Sequence, residues 1–198
     1  MSDSFTSTYS SDYKIPKTVI SLILMDVLKV LTGSLLLALC SQIRFTLPFT
    51  PIPITAQTLA VLLLPTLMRG WRGPAAVALY IIEGILGLPV YQGLNSGLSY
   101  LFLHSGGYIL GFFIASIVIV VLKSLLSKSK LKSHYARIFI SMLAGNIVIY
   151  LFGVPWLAKV MGVGFLIAIA KGMTPFLLGD LIKLITAVVI VPETDKRH

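Results

Sequence analysis

The last apolar run of the chain opens with the stretch Thr174-Pro175-Phe176-Leu177-Leu178-Gly179-Asp180-Leu181-Ile182-Lys183. Asp180 and Lys183 are three residues apart, so on a helix both side chains project from the same face. A charged residue at the centre of a membrane helix costs about 2.5 to 3.5 kcal/mol, and such groups usually pair, line a cavity or bind a ligand. Two interpretations follow. Either the pair neutralises itself near the interface, with Lys183 reaching water, or a helix opening near Pro175 holds an acceptor and a cation within reach of a polar solute.

The composition is that of an integral membrane protein. Of the 198 residues, 57% are hydrophobic and only 12% are charged, whereas a soluble domain has about 25% charged residues. The formal net charge is +9, but most basic residues lie in short loops between apolar runs, which argues against nucleic-acid binding. Cys40 is the only cysteine, which excludes an internal disulfide. The three histidines are far apart in the sequence and predict no metal site.

Six apolar segments predict an all-α, polytopic membrane protein with six transmembrane helices. They run over about residues 15–39, 55–68, 75–88, 106–122, 138–152 and 174–191. With the N-terminus inside, eleven basic residues fall on the cytoplasmic side and three outside, a clear positive-inside bias. We therefore predict an N-in/C-in topology, with a disordered cytoplasmic tail over 1–13, a single membrane domain over 14–192 and a second cytoplasmic tail over 193–198.

Other features within the segments concern helix pairing. Asp26 lies three residues before Lys29, and an intrahelical ion pair near the inner interface is the favoured interpretation. Glu83 has no partner that the sequence reveals. Gly107 and Gly111 form a GxxxG step, which permits close backbone contact with a neighbouring helix.

Two loops on the external side of this topology are candidates for ligand recognition. The loop over 42–55 has three prolines in six residues and is either a stiff connection or a lid over a binding site. The loop over 87–105 interleaves uncharged polar groups with aromatics, which suits a small, partly apolar solute but also an ordinary interfacial loop. The side chains that this topology places near the outer face, and that we expect to share a pocket, are Gln57, Asn95, Tyr108, Asp180 and Lys183. Asn146, one helical turn before Tyr150, is a further candidate.

Five stretches of the chain occur together in the order of one known family. They are Pro48-Phe49-Thr50-Pro51-Ile52-Pro53-Ile54-Thr55-Ala56-Gln57-Thr58, Gly84-Ile85-Leu86-Gly87-Leu88-Pro89-Val90, Gly106-Gly107-Tyr108-Ile109-Leu110-Gly111-Phe112, Gly153-Val154-Pro155-Trp156 and Pro175-Phe176-Leu177-Leu178-Gly179-Asp180-Leu181-Ile182-Lys183. With them the chain resembles the BioY family over about residues 34–191. Members of that family are the biotin-binding S components of energy-coupling factor (ECF) transporters.

The resemblance implies a six-helix protein of the bacterial cytoplasmic membrane that binds biotin near the outer face for uptake. It also implies a partner module made of a transmembrane T component and two ATPase subunits. In that family the acid and lysine of the GDxxK motif are associated with substrate binding, which carries over to Asp180 and Lys183. A small-xxx-small step of the first helix contacts the T component, which falls on Ser34 and Ala38. One departure, Leu103-His104-Ser105 where the family commonly has Gly-Pro-Thr, bears on the geometry of that loop.

The chemistry of biotin is compatible with these residues. Biotin has a ureido ring with N–H donors and a carbonyl acceptor, an apolar bicycle and a carboxylate tail. Asp180 is a suitable acceptor for a ureido N–H, and Lys183 is a suitable partner for the tail. Tyr91 and Tyr108 are candidates to pack on the bicycle.

The alternative is a membrane-embedded enzyme acting on a lipid or isoprenoid. Such an enzyme requires clustered acids for a metal, or a nucleophile with its base, whereas Asp26, Glu83 and Asp180 are scattered in the sequence. The chain also has no phosphate-cradling glycine loop followed by Lys-Ser or Lys-Thr, so ATP hydrolysis by a P-loop mechanism is not expected. We therefore predict a transport component that is not an enzyme and needs no cofactor.

Overall fold

The computed structural model describes residues 17–131 and 133–191, so the tails predicted over 1–13 and 193–198 lie outside the described residues. This part of the chain is mostly helical, as predicted, with one small β-hairpin in addition. The helices are α1 (Lys17–Gln42), α2 (Gln57–Leu67), α3 (Arg72–Ile85), α4 (Gly106–Ser127), α5 (His134–Met161), α6 (Phe165–Gly172) and α7 (Leu177–Ile190). The strands are β1 (Arg44–Phe45) and β2 (Ile54–Thr55), and two 3₁₀ helices span Leu98–Phe102 and Thr174–Phe176.

Four helical stretches among the described residues are long and apolar enough to cross a membrane. They are Val19–Gln42, Gly106–Ser127, His134–Met161 and Phe165–Ile190. The chain is therefore a multi-pass membrane protein. α2 and α3 have 11 and 14 residues, fewer than the roughly 20 of a full crossing. The prediction of six spans therefore requires that α2 and α3 cross the membrane together with the segments that flank them.

The helices present apolar surface outward and hold polar side chains inside. Only 17% of the apolar window of α1 is buried, and Leu22, Leu28 and Leu35 are each more than half exposed. Ser34 and Asp180, by contrast, are 0% and 3% exposed. This distribution fits a protein surrounded by lipid, because polar groups within a membrane face the interior of the helix bundle.

α4 and α5 pack closely through the predicted GxxxG step. A Cβ placed on Gly111 would lie 3.1 Å from the Cα and from the carbonyl oxygen of Ile149. A Cβ on Gly107 would overlap the carbonyl oxygen of Phe152 and the side chain of Trp156. The two glycines therefore allow a backbone approach that no larger residue permits.

α1 is joined to α3 by two polar contacts. Asp26 Oδ1 lies 2.7 Å from Arg72 Nε, and Arg72 Nη2 donates to Asp26 Oδ2 at 2.8 Å, whereas Lys29 Nζ is 4.0 Å from Asp26 Oδ1. The predicted Asp26–Lys29 ion pair is present, and Arg72 of the neighbouring helix α3 is a second and closer partner of Asp26. The partner of Glu83 is Ser34, whose hydroxyl donates to Glu83 Oε2.

The proline-rich segment folds as the loop of the β-hairpin. β1 and β2 pair antiparallel, with Arg44 opposite Thr55 and Phe45 opposite Ile54. The prolines lie in or beside the loop between the strands, where their missing N–H groups break no ladder bond. The hairpin lies between α1 and α2 and contributes Ile52, Pro53 and Thr55 to the wall of a cavity.

Candidate ligand-binding site

A cavity lies where the β-hairpin, the segment between α3 and α4, and the helices α2, α4, α5 and α7 meet. Its free volume is about 50 Å³, and its wall is mostly apolar. The polar side chains of the wall are Thr55, Gln57, Thr58, Gln92, Ser105, Asp180 and Lys183, together with the phenols of Tyr80, Tyr100, Tyr108 and Tyr150. Four of the seven residues predicted for substrate binding are among them: Gln57, Tyr108, Asp180 and Lys183.

Asp180 and Lys183 lie side by side in this wall. Lys183 Nζ is 3.3 Å from Asp180 Oδ1 and donates hydrogen bonds to Thr58 Oγ1 at 2.7 Å and to the carbonyl oxygen of Thr55 at 2.9 Å. The Tyr150 phenol donates a hydrogen bond to Asp180 Oδ2. Because each buried charge has an opposite charge and neutral hydrogen-bond partners, the pair is tolerated in the interior of the bundle.

Local structure explains how Asp180 reaches the cavity. The sequence predicted that a helix opens near Pro175, and the structure has a 3₁₀ helix over Thr174–Phe176 that passes into α7 at Leu177. Asp180 therefore lies in the first turn of α7. At that position the positive end of the helix dipole stabilises a carboxylate.

Gln57 and Tyr108 lie on other parts of the wall. Gln57 is 5% exposed, and its Nε2 atom has no hydrogen-bond partner among the described residues. The Tyr108 hydroxyl donates to the carbonyl oxygen of Gly172 at 2.8 Å, and its ring meets the ring of Tyr150 edge-on. Gln57 thus offers a buried donor to a ligand, while Tyr108 offers mainly its aromatic surface.

The segment between α3 and α4 contributes a second polar group. Gln92 Nε2 donates to Ser105 Oγ at 2.9 Å, and both residues line the cavity. Ser105 belongs to the Leu103-His104-Ser105 departure from the family pattern. The carbonyl oxygen of Leu103, in the same three-residue stretch, accepts a hydrogen bond from Trp156 Nε1 at 3.0 Å. This bond holds the stretch against α5.

Three predicted residues do not belong to the lining. Tyr91 is 0% exposed, stacks on Tyr100 with ring centroids 5.0 Å apart, and donates its hydroxyl to the carbonyl oxygen of Ile81. Burial raises the pKa of the Tyr91 phenol to about 12, so it stays neutral at physiological pH. Asn95 is exposed, and its Nδ2 donates to the carbonyl oxygen of Gln92. Asn146 is 8% exposed, with Oδ1 unpartnered among the described residues, one turn before Tyr150.

The two residues predicted to contact a partner helix pack against other parts of the same chain. Ser34 is 0% exposed and is bound to Glu83, and Ala38 is half-buried against the core. A small-xxx-small step indicates that another helix approaches closely. At Ser34 the helix that approaches is α3 of the same chain. Contact with a T component through these two residues stays a prediction.

Five residues of the cavity wall were not predicted individually. Tyr150, Thr58 and Thr55 contact the charged pair, whereas Gln92 and Ser105 line another part of the wall. Thr58 lay within the Pro48–Thr58 stretch, and Tyr150 lay one turn from Asn146, so the helical period was a signal for Tyr150. No group of three or more His, Cys, Asp or Glu side chains among the described residues is arranged to hold a metal ion.

Comparisons with known proteins place the chain in a family. The family model of the BioY family matches residues 10–198. The biotin transporter BioY of Rhizobium etli is 32% identical over 83% of this chain and 89% of its own length. Probable biotin transporters BioY of Rickettsia prowazekii and Pyrococcus horikoshii are 30% and 34% identical, over 78% and 71% of this chain and 79% and 78% of their own lengths.

One solved structure has the same fold. It is the S-component for biotin from an ECF-type ABC transporter, with a TM-score of 0.79, 24% sequence identity and coverage of 90% of this chain and 94% of that chain. The fold and the cavity thus define a multi-pass membrane protein with a buried acid–lysine pair between its helices. The chain belongs to the BioY family, and the resemblance that the sequence motifs indicated is confirmed.

Proposed function

We propose that this chain is the substrate-binding S component of an ECF-type transporter and binds biotin for uptake. The observation that carries the proposal is the buried Asp180–Lys183 pair in the wall of a mostly apolar cavity. Biotin combines a polar ureido ring with an apolar bicycle, which matches such a wall. Membership of a family whose curated relatives are named biotin transporters supports the same substrate.

The ureido ring is assigned to the charged pair. Asp180 accepts a ureido N–H, while Lys183 and the unpartnered Nε2 of Gln57 are donors for the ureido carbonyl oxygen. This assignment differs from the sequence-based expectation that Lys183 pairs with the carboxylate tail. Lys183 Nζ, however, lies only 3.3 Å from Asp180, and the ureido ring and carboxylate are at opposite ends of biotin. An extended molecule therefore presents one end to this pair.

The tail is assigned to the second polar group of the wall. Gln92 Nε2 and the Ser105 hydroxyl are donors for a carboxylate, and neither is part of the charged pair. Tyr108 is the aromatic surface proposed for the bicycle. Tyr91, Asn95 and Asn146 would then support the wall rather than touch the ligand, since the lining does not include them.

Biotin entry requires the wall to move. The cavity has about 50 Å³ of free volume, whereas sites for small molecules have at least roughly 300 Å³. The β-hairpin is the part of the wall proposed to move, because its ladder has only two residue pairs and Pro48 and Pro51 in its loop are exposed. This is the lid interpretation of the proline-rich loop.

The topology and partners are proposed from the same arrangement. Six crossings with both termini in the cytoplasm are supported by the positive-inside bias and by α2, α4 and α5, each of which lines cavities at two ends of the bundle. A T component and two ATPase subunits are the partners implied for such a component, and the bacterial cytoplasmic membrane is its proposed location. The membrane domain is assigned to 14–192, with cytoplasmic tails over 1–13 and 193–198.

The enzyme alternative has no support in the family comparison. The three acids of the described apolar segments also have separate partners: Asp26 binds Arg72, Glu83 binds Ser34, and Asp180 binds Lys183. They form no carboxylate pair for acid–base chemistry.

Competition for labelled biotin tests the proposal on the purified chain in detergent. Desthiobiotin keeps the ureido ring, whereas lipoate keeps a carboxylate tail without it. We expect biotin to bind, desthiobiotin to compete and lipoate to compete poorly. A folded protein that does not bind biotin would contradict the function. If lipoate competes as well as desthiobiotin does, the site recognises the carboxylate tail. The assignment of the ureido ring to Asp180 would then be refuted, although a transport function would not.

A further inference from the structure

A second cavity, of about 740 Å³, lies at the other end of the helix bundle. Gln57 of α2 and Asp180 of α7 line the first cavity, whereas Pro65 at the other end of α2 and Val191 just after α7 line the second. The turn between α2 and α3, the last turns of α4 and the first residue of α5 complete its wall. None of the described residues lines both this cavity and the candidate biotin site.

The wall of this cavity is basic. Arg69 and Lys123 line it, and its described lining contains no acidic residue. Lys123 Nζ donates to the carbonyl oxygen of Thr66 at 2.6 Å, which holds the ammonium group at the wall. Hydroxyl groups of Ser124 and Ser127 lie along the same wall. The cavity therefore presents cations and neutral donors, as an anion site requires.

His134 supplies an independent sign of a ligand. It lines the cavity and is only 7% exposed, and its Nε2 atom makes no hydrogen bond to any residue that the structure describes. A buried polar atom without a partner is costly. His134 is also the first residue of the 28-residue helix α5, whose N-terminal end attracts negative charge. Its unpartnered nitrogen thus lies where an anion is stabilised.

The rest of the wall is apolar and favours one kind of anion. Val121, Leu125 and Val191 line the cavity, and Trp71 beside them is 60% exposed, as expected of a tryptophan at a membrane interface. Basic pockets between membrane helices bind the headgroups of anionic lipids. We propose that this cavity binds the headgroup phosphate of an anionic phospholipid through Arg69, Lys123 and His134, with an acyl chain along the apolar wall. Free phosphate shares the headgroup's charge but gains nothing from that wall.

Trp71 provides a local reporter. The chain has two tryptophans, so Trp156→Phe leaves Trp71 alone in the full-length protein. This protein is placed in phosphatidylcholine nanodiscs with a minor fraction of phosphatidylglycerol carrying dibrominated chains, which quench tryptophan fluorescence on contact. The reference nanodiscs carry the same fraction of dibrominated phosphatidylcholine. We expect stronger quenching by the anionic lipid.

The variants assign the preference to the cavity. Arg69→Gln and Lys123→Gln are each expected to weaken the preference for phosphatidylglycerol about fivefold, and His134→Phe to weaken it while keeping the aromatic ring. Lys128→Gln is the matched control, because Lys128 is exposed near the same end and does not line the cavity. Equal quenching by the two lipids in the parent, or an equal loss in the control, would overturn the proposal.

Two further measurements separate other occupants. If inorganic phosphate relieves the quenching by brominated phosphatidylglycerol, the site takes the free anion and the lipid assignment is wrong. If the cavity variants lose assembly with the energy-coupling module while keeping the lipid preference, the basic wall serves a protein partner and the proposal is likewise wrong. The rise in the unfolding temperature on adding phosphatidylglycerol to protein that retains Trp156 repeats the test without the reporter substitution.

Discussion

Tyr150 of α5 donates its phenolic hydrogen bond to Oδ2 of Asp180 in α7, so the two helices are tied at the wall of the candidate site. The other carboxylate oxygen of Asp180 faces Lys183 Nζ at 3.3 Å. The acid thus has one neutral and one charged partner. Tyr150 therefore affects ligand binding in two ways: it positions the carboxylate of Asp180, and it lines the cavity itself.

Tyr150→Phe removes this hydrogen bond and keeps the ring. A hydrogen bond to a charged group contributes about 1.5 to 3 kcal/mol, so we expect biotin affinity to fall at least about tenfold. Equilibrium binding of labelled biotin measures the effect. Tyr135→Phe, which changes an exposed phenol in the first turn of the same helix, is the control. Unchanged affinity in Tyr150→Phe would show that the phenol does not position Asp180.

Thr58 and Thr55 allow a matched pair of substitutions beside Lys183. Thr58 binds Nζ through its hydroxyl at 2.7 Å, whereas Thr55 binds it through the backbone carbonyl at 2.9 Å. Thr58→Val therefore removes a contact that Thr55→Val keeps. Because a hydrogen bond to a charged group contributes about 1.5 to 3 kcal/mol, we expect weaker biotin binding in Thr58→Val only. Similar affinities in the two variants would argue that the hydroxyl does not hold Lys183.

Gly107→Ala tests the close packing of α4 on α5. The added methyl group overlaps the carbonyl oxygen of Phe152, and overpacking typically costs about 1 to 3 kcal/mol. For a chain of this size that lowers the unfolding temperature by about 2 to 4 °C per kcal/mol. Gly179→Ala in α7 is the control, since nothing lies within 4 Å of its added Cβ. A thermal scan in detergent that ranks the two variants equally would contradict the packing argument.

Arg72→Gln tests the polar contact between α1 and α3. Arg72 makes the short contacts to Asp26, and Lys29 lies 4.0 Å away, so Arg72→Gln should lower the unfolding temperature more than Lys29→Gln does. Each variant loses one positive charge, which makes them matched. A larger loss in Lys29→Gln would restore the intrahelical pair as the main interaction.

The features that the sequence predicted are those encoded locally. Asp180 and Lys183 are three residues apart on one helix, so their shared face follows from the helical period. The distance of thirty residues between Tyr150 and Asp180 explains why their hydrogen bond was not predicted, because it depends on how α5 packs on α7.

Side-chain direction was a second limit of the sequence. A small-xxx-small step at Ser34 indicates that some helix approaches closely, and only the fold shows that Glu83 of α3 is there. Tyr91 was predicted from aromatic character alone. Its ring packs against the rings of Tyr80 and Tyr100. Because Tyr91 lies in a loop, no periodicity of the sequence indicates these contacts.

Calorimetry of biotin binding to the purified chain, with Asp180→Asn measured beside it, tests the central claim most directly. The account predicts saturable binding at one site in the parent and affinity about 10- to 100-fold lower in Asp180→Asn, as expected for a lost hydrogen bond to a charged group. Asp26→Asn, at the other end of the bundle, should bind as the parent does. A well-folded parent that does not bind biotin, or an Asp180→Asn variant that binds it as tightly as the parent, would contradict the account.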